Sequence, residues 1–180
     1  MRIILVTLLF ALYSFTSNAA EFELKLGGWS SHIIKNSNEQ RMRDLVDPDF
    51  SYNENHKGYG IKVYMPFDLN DWELFAEIWR MTESYGNPYK AYALGLSKSY
   101  VIDSSIVDRI RVNLPIAYVS RSTIFWDGYG GAWVDRDDYI RFTPHITLYK
   151  NRFGLDLALM PFKGDGGTSL TGFVRLSYVF

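Results

Sequence analysis

The chain runs as a strand to its last residue, and that strand constrains the fold more than any other segment. From Gly172 to Phe180 the residues alternate: Val174, Leu176, Tyr178 and Phe180 share one face, and Phe173, Arg175, Ser177 and Val179 share the other. Successive side chains of a strand point to opposite sides, so one face here is wholly apolar while the other carries an arginine and a serine. Such a strand needs hydrocarbon or core on one side and a partner for its charge on the other.

A terminal Phe with a Tyr two residues before it resembles the closing strand of bacterial outer-membrane barrels. The N-terminus agrees. Arg2 precedes an apolar run from Ile3 to Phe15, and Ser17-Asn18-Ala19 supplies small residues at a cleavage position, so residues 1–19 read as an export signal and 20–180 as one mature domain. The apolar run falls short of the ~20 residues a membrane-spanning helix needs. With no cysteine among 180 residues, disulfides and thiolate metal sites are excluded. Thirteen Tyr, 12 Phe and 5 Trp suit aromatic girdles at two membrane interfaces. A mean hydropathy of -0.12 is too low for a helical membrane protein but fits strands whose apolar residues alternate with polar ones. The formal charge of -1 leaves no nucleic-acid footprint.

Alternation and turn chemistry predict eight strands near 22–31, 58–66, 72–82, 89–98, 108–119, 139–149, 153–162 and 169–180, hence an all-β, antiparallel, up-and-down transmembrane barrel. Tyr59, Ile61, Val63 and Met65, like Phe153, Leu155, Leu157 and Leu159, are expected to face lipid. With the mature N-terminus in the periplasm, the links 32–57, 83–88, 120–138 and 163–168 lie outside the cell, and the shorter links 67–71, 99–107 and 150–152 face the periplasm. Long loops on one side only are typical of these barrels, and function is expected there. The inner face should pair Phe75, Trp79, Met81 and Phe173 with Glu73, Glu77, Arg175 and Ser177, giving an interior apolar at one end and salt-linked at the other. A soluble lipocalin-like barrel would invert the faces, and alternation alone does not separate the two.

Three histidines occur, His32, His56 and His145. His32 ends the first strand and Ser84 follows the third, so the topology brings both to the outer rim. A His able to take a proton from a Ser hydroxyl, with a carboxylate to hold the imidazole, is the requirement for acyl transfer through an activated hydroxyl. Glu83 is the adjacent carboxylate, although neighbours along a strand point to opposite faces. The competing reading is polar residues solvated at the barrel mouth. The stretch from Tyr52 to Gly60 reads as a loop-to-strand turn held by Asn side chains. Lys35, Arg41 and Arg43 are candidate phosphate contacts, and Asp44, Asp47 and Asp49, or Asp135, Asp137 and Asp138, candidate ion ligands. An ordinary solvated loop is the better reading of each.

A Trp-bearing first strand carrying His32, then Tyr52-Asn53-Glu54 before a glycine-bearing second strand, then Glu83-Ser84-Tyr85 after the third, resembles the outer-membrane lipid A palmitoyltransferase (PagP) family. Pro144, the turn at Lys150-Asn151-Arg152, Pro161 and the aromatic last strand extend the resemblance over most of the mature chain. It implies an eight-stranded barrel holding a phospholipid acyl chain, with catalytic residues His32, Ser84 and Glu83 at the outer rim. Glu83 stands where the family has Asp. The family's amphipathic helix before the first strand has no room between Ala20 and Phe22, and the first loop is longer than the family's. Pro115, Pro144 and Pro161 each remove a ladder hydrogen bond, and in the family such gaps admit lipid laterally.

The expectation is therefore an acyltransferase of the bacterial outer membrane. It would take a palmitoyl-like chain from a phospholipid donor to lipid A, as a monomer, with no cofactor and no metal. A hydrolase using water as acceptor, and a non-catalytic barrel whose loops bind a partner or whose fold stabilises the membrane, are the alternatives.

Overall fold

The structure is a computed structural model that describes residues 20–34, 43–44, 48–67, 70–126, 132–164 and 167–180. The expected export signal at 1–19 lies outside them, as do Lys35, Arg41 and Asp47. Nine strands form: β1 (Glu21–Ile34), β2 (Asn55–Pro66), β3 (Trp72–Thr82), β4 (Pro88–Val101), β5 (Arg109–Trp126), β6 (Ala132–Phe142), β7 (His145–Lys150), β8 (Phe153–Gly164) and β9 (Gly167–Val179). All pairings are antiparallel between neighbours, and β9 returns to β1, with the Phe180 amide donating to the Phe22 carbonyl at 3.0 Å. β6 and β7 occupy one position in the wall, both pairing with β5, so the barrel has eight positions.

Polarity decides the solvent. Leu94 and Ile140 are 68% and 75% exposed on the outer face, whereas Lys25 and Lys62 are fully buried inside. A soluble barrel would leave that apolar belt in water and its charges in a dry core, which is unfavourable on both counts. In a bilayer the same distribution is the stable one, and closure leaves few backbone groups unpaired. The chain is a transmembrane β-barrel of the bacterial outer-membrane kind.

Two regions differ from the alternation reading. The segment 120–138, expected as a 19-residue loop, is mostly hairpin: the β5–β6 ladder continues from Ile116↔Phe142 to Trp126↔Ala132. Its mixed polarity resembles a loop because the ribbon rises beyond the apolar belt, where period-two burial no longer applies. The expected strand 139–149 is broken at Thr143-Pro144. Above the break β6 pairs with β5 but has no ladder with β8; β8 pairs with β7 only from His145↔Ala158 to Lys150↔Phe153, and from Leu159 to Gly164 it pairs with β9 alone. The wall is thus open along a seam in the half of the barrel nearer the long loops. Pro144 and Pro161 lie at this seam, and having no N–H they present no donor to go unpaired there. The Pro161 carbonyl accepts from Arg141 Nη2 across the gap at 3.3 Å.

Inside, the half nearer the short turns is filled with ions. Lys25 binds Glu23 and Asp156 at 2.9 Å each, Lys62 lies 3.7 Å from Glu77, and Arg175 joins Asp156 to Glu77. Tyr64 and Tyr149 donate to Glu23, and Asn113 accepts from Lys62 and donates to Thr147. The six charges balance, three carboxylates against three cations, which is how charge is tolerated away from water. Above this floor lie Trp79, Ala91, Ala117, Val119 and Phe173 with Met81, Tyr89, Ala158 and Met160 around them. The small residues leave an apolar well.

Candidate active site at the loop rim

A bulge aims the first strand at the site. Between Leu26↔Leu176 and Trp29↔Val174, β1 spends one residue more than β9, and Gly27 and Gly28 take φ of 79° and 113°. Positive φ is a conformation that glycine adopts without steric cost. Below the bulge Glu23 and Lys25 face inward; above it Gly28, Ser30 and His32 do. The Gly27-Gly28 pair therefore decides that His32 points into the barrel mouth rather than at lipid.

The returning end of the first loop clamps this mouth. The Asn53 amide donates to the Ser84 carbonyl at 2.7 Å, Asn53 Nδ2 donates to the Glu83 carbonyl at 3.2 Å, and the Ser30 amide donates to the Glu54 carbonyl at 3.0 Å. His32 stacks on Tyr52 with ring centroids 4.1 Å apart. A rim cavity of about 120 Å³ is lined by Ser30, His32, His56, Glu83, Ser84 and Arg121 among others. His32 and Ser84, 52 positions apart in sequence, thus meet around one space.

Glu83 serves a different neighbour from the one expected. It lies 3.2 Å from Arg121 Nε, while the carboxylate near His32 Nδ1 is that of Glu54, at 3.9 Å. Burial pushes the Glu83 carboxyl up to about 7, against the opposing pull of Arg121 and a hydrogen bond from Asn87. A carboxyl raised in the folded state holds a proton that the unfolded chain releases near 4.5, so ionising it costs stability increasingly from pH 4.5 to about 7. Glu83→Gln removes this cost. The stability of the variant relative to the parent should rise through that window and level off above it, as read from urea midpoints across a pH series. A difference that falls with pH would mean that the Arg121 pair outweighs burial.

Sequence reasoning missed one pair. His56 Nε2 lies 2.8 Å from Ser30 Oγ, and His56 Nδ1 lies 2.7 Å from the Thr82 carbonyl. The available signal was Gly27-Gly28, since a glycine pair inside a strand marks a bulge and puts Ser30 on the His32 face. In sequence alone His56 reads as part of a loop-to-strand turn.

Two further cavities adjoin the rim. The well, about 80 Å³, shares Met81, Tyr89, Met160 and Phe173 with the rim cavity. A groove of about 570 Å³ at the seam is lined by the outward residues Ile146, Leu157 and Leu159 and by the inward residues His145, Ala158 and Phe173. His145, Ala158 and Phe173 also line the well, and Phe173 lines all three spaces. Seam groove, well and rim cavity thus follow one another along the wall, each sharing lining residues with the next. Among the described residues no His, Asp and Glu cluster is arranged to hold a metal ion; Asp135, Asp137 and Asp138 lie along β6.

No family model matches the chain, and no curated protein matches it. Among solved structures it is similar to Ail, the attachment invasion locus protein of Yersinia pestis, in complex with the heparin analogue sucrose octasulfate, at 12% identity over 89% of this chain and 97% of that one with a TM-score of 0.45. It is similar to the N-terminal β-barrel domain of Pseudomonas aeruginosa OprF at 9% identity over 89% and 97%, TM-score 0.46. For Neisserial surface protein A the values are 10%, 89%, 95% and 0.39. Likenesses with TM-scores below 0.5 bear on neither mechanism nor ligand, and the barrel stands on the chain's own strand pairing.

Proposed function

We propose that the barrel is a lipid-handling enzyme of the outer membrane that moves an acyl chain from a phospholipid to lipid A at the loop rim, which faces out of the cell. The observation that carries this reading is the unpaired seam between β6 and β8, whose groove shares His145, Ala158 and Phe173 with the apolar well beneath the rim residues. A barrel built only to stabilise the membrane gains nothing from an open wall, since an unpaired strand edge in hydrocarbon is unfavourable. In this reading the donor's chain enters sideways, its methylenes lie against Phe173 and Ala158, and its ester rests among His32, Ser84 and Ser30. Arg121 and Arg141, which line the rim cavity, offer charge-assisted donors to the donor's phosphate.

One observation favours the non-catalytic alternative. His32 is engaged with Tyr52 and Glu54, and Glu83 with Arg121, so His32 and Glu83 do not face each other as a relay. Mass spectrometry of lipid A from cells producing the parent, His32→Ala or Ser84→Ala at equal folded levels separates the readings. The parent should add one acyl chain, and each variant, having lost a polar group that lines the cavity where the ester rests, should reduce that product by at least ~100-fold, the usual worth of one positioned hydrogen-bonding group at a reacting carbonyl. Unchanged lipid A in every sample would favour the non-catalytic barrel or a hydrolase.

A further inference from the structure

We infer that Ser30 is a nucleophile, with His56 as its general base, and that the barrel forms an acyl-serine intermediate at Ser30 rather than at Ser84. The inference rests on the acyl-handling reading above and names the residue that would carry the chain. A carbonyl oxygen only accepts hydrogen bonds, so the contact to the Thr82 carbonyl places a proton on His56 Nδ1. In the neutral ring Nε2 is then an acceptor, and Ser30 Oγ–H donates to it at 2.8 Å. This is the nucleophile and base contact that hydroxyl activation requires, with a backbone carbonyl where a triad has its carboxylate. Such an orienter fixes the tautomer but adds no charge to stabilise the imidazolium.

Placement supports chemistry over a purely structural bond. Ser30 and His56 are both buried, yet both line the rim cavity. The Phe173 ring, which borders seam, well and rim, lies 5.8 Å from the His56 ring. A chain entering at the seam and passing Phe173 brings its ester to the dyad. The lack of side chains on Gly27 and Gly28 lets β1 turn there, and a Cβ at Gly28 would sit 3.4 Å from His56 Cβ and from the Phe173 ring. The backbone thus approaches the dyad closely.

The steps balance without a further reactant. Ser30 Oγ attacks the carbonyl carbon of the phospholipid ester as its proton passes to His56 Nε2. The tetrahedral adduct collapses, the bond from the acyl carbon to the glycerol oxygen breaks, and that oxygen takes the proton from Nε2 and leaves as lysophospholipid. A hydroxyl of lipid A, or water, then attacks the acyl-serine and gives its proton to Nε2. Ser30 leaves as alkoxide, recovers that proton, and the dyad is restored.

The test treats outer membranes from cells producing the full chain with a long-chain alkyl fluorophosphonate, then identifies the modified peptide by mass spectrometry. The heat-modifiable band on gels sets equal amounts of folded protein. The parent and Ser31→Ala, whose side chain faces away from the barrel interior, should label at Ser30 at the same rate. His56→Gln should label at least ~100-fold more slowly, and Ser30→Cys should regain a nucleophile that long-chain alkylating reagents trap. Folded parent that remains unlabelled at Ser30, or that labels at Ser84, overturns the inference. Lipid A acylated at full level by Ser30→Ala overturns it too, while leaving the transferase reading intact. Labelling at Ser30 with lipid A unchanged upholds the dyad and removes the transferase reading, leaving water as acceptor.

Discussion

Replacing Arg175 with Met is expected to destabilise the barrel by about 3–5 kcal/mol, the cost of leaving buried carboxylates without their cation. Arg175 binds Glu77 through Nη1 and Nη2 and Asp156 through Nε, and its guanidinium lies 4.9 Å from the centroid of the Trp79 ring. Once it is gone, Glu23, Glu77 and Asp156, all buried, are left with Lys25 and Lys62 as the cations of this floor. Lys at 175 keeps the charge but not the forked geometry and should cost less, about 1–2 kcal/mol. Pairing Arg175→Met with Glu77→Leu restores neutrality and should recover most of the loss, since uncharged packing of similar volume competes well with a buried ion pair. Urea titrations of the folded protein in detergent micelles, followed by tryptophan fluorescence and by heat-modifiability, measure all three. A fall below about 1 kcal/mol for Arg175→Met would mean that water reaches the floor and screens the carboxylates.

Filling the passage between seam and well should abolish acyl transfer while sparing the fold. Ala158 borders both spaces, so Ala158→Phe places a ring where an entering chain must pass. If the ring displaces four methylenes, the lost burial is about 3 kcal/mol at ~0.8 kcal/mol each, or roughly 100-fold in transfer. Ile61→Phe, facing lipid on β2 and lining none of the three cavities, adds a ring to the outer wall away from the seam and should leave transfer within about twofold. Lipid A profiles and urea midpoints of the two variants provide the comparison. Equal loss in both, or equal retention, would disconnect the seam from catalysis.

The sequence made the two faces of the barrel readable wherever a strand sits wholly within the bilayer. On β2, β8 and β9 hydrocarbon on one side and ion pairs on the other enforce strict alternation, so Ile61, Leu159 and Arg175 could be assigned by parity alone. It failed above the membrane. From Ser120 the sequence Ser120-Arg121-Ser122-Thr123 shows no apolar alternation, so it resembles a loop although the ladder continues. The break at Pro144 was visible as a lost donor, but not that β6 and β8 part there, because the number of residues over which two strands stay apart depends on register. Within the site, the meeting of His32 with Ser84 followed from topology. The Ser30 and His56 pair did not, because it depends on a change of parity at Gly27-Gly28 that no count of apolar residues records. The partner of Glu83 was hidden for a related reason: Arg121 lies on a strand extension that by alternation reads as a loop.

The doubled glycine in β1 acts as a phase shifter for everything written after it. A deletion of one residue at Gly27 or Gly28 would leave the ionic floor in place and rotate the remainder of the strand by half a period. Trp29, Ser31 and Ile33 would then occupy the mouth, and Ser30 and His32 would face the bilayer. One codon therefore separates two barrels with the same wall and different chemistry at the rim. The residues presented at the mouth are thus set by the length of β1 between Lys25 and Trp29 as much as by their own identity.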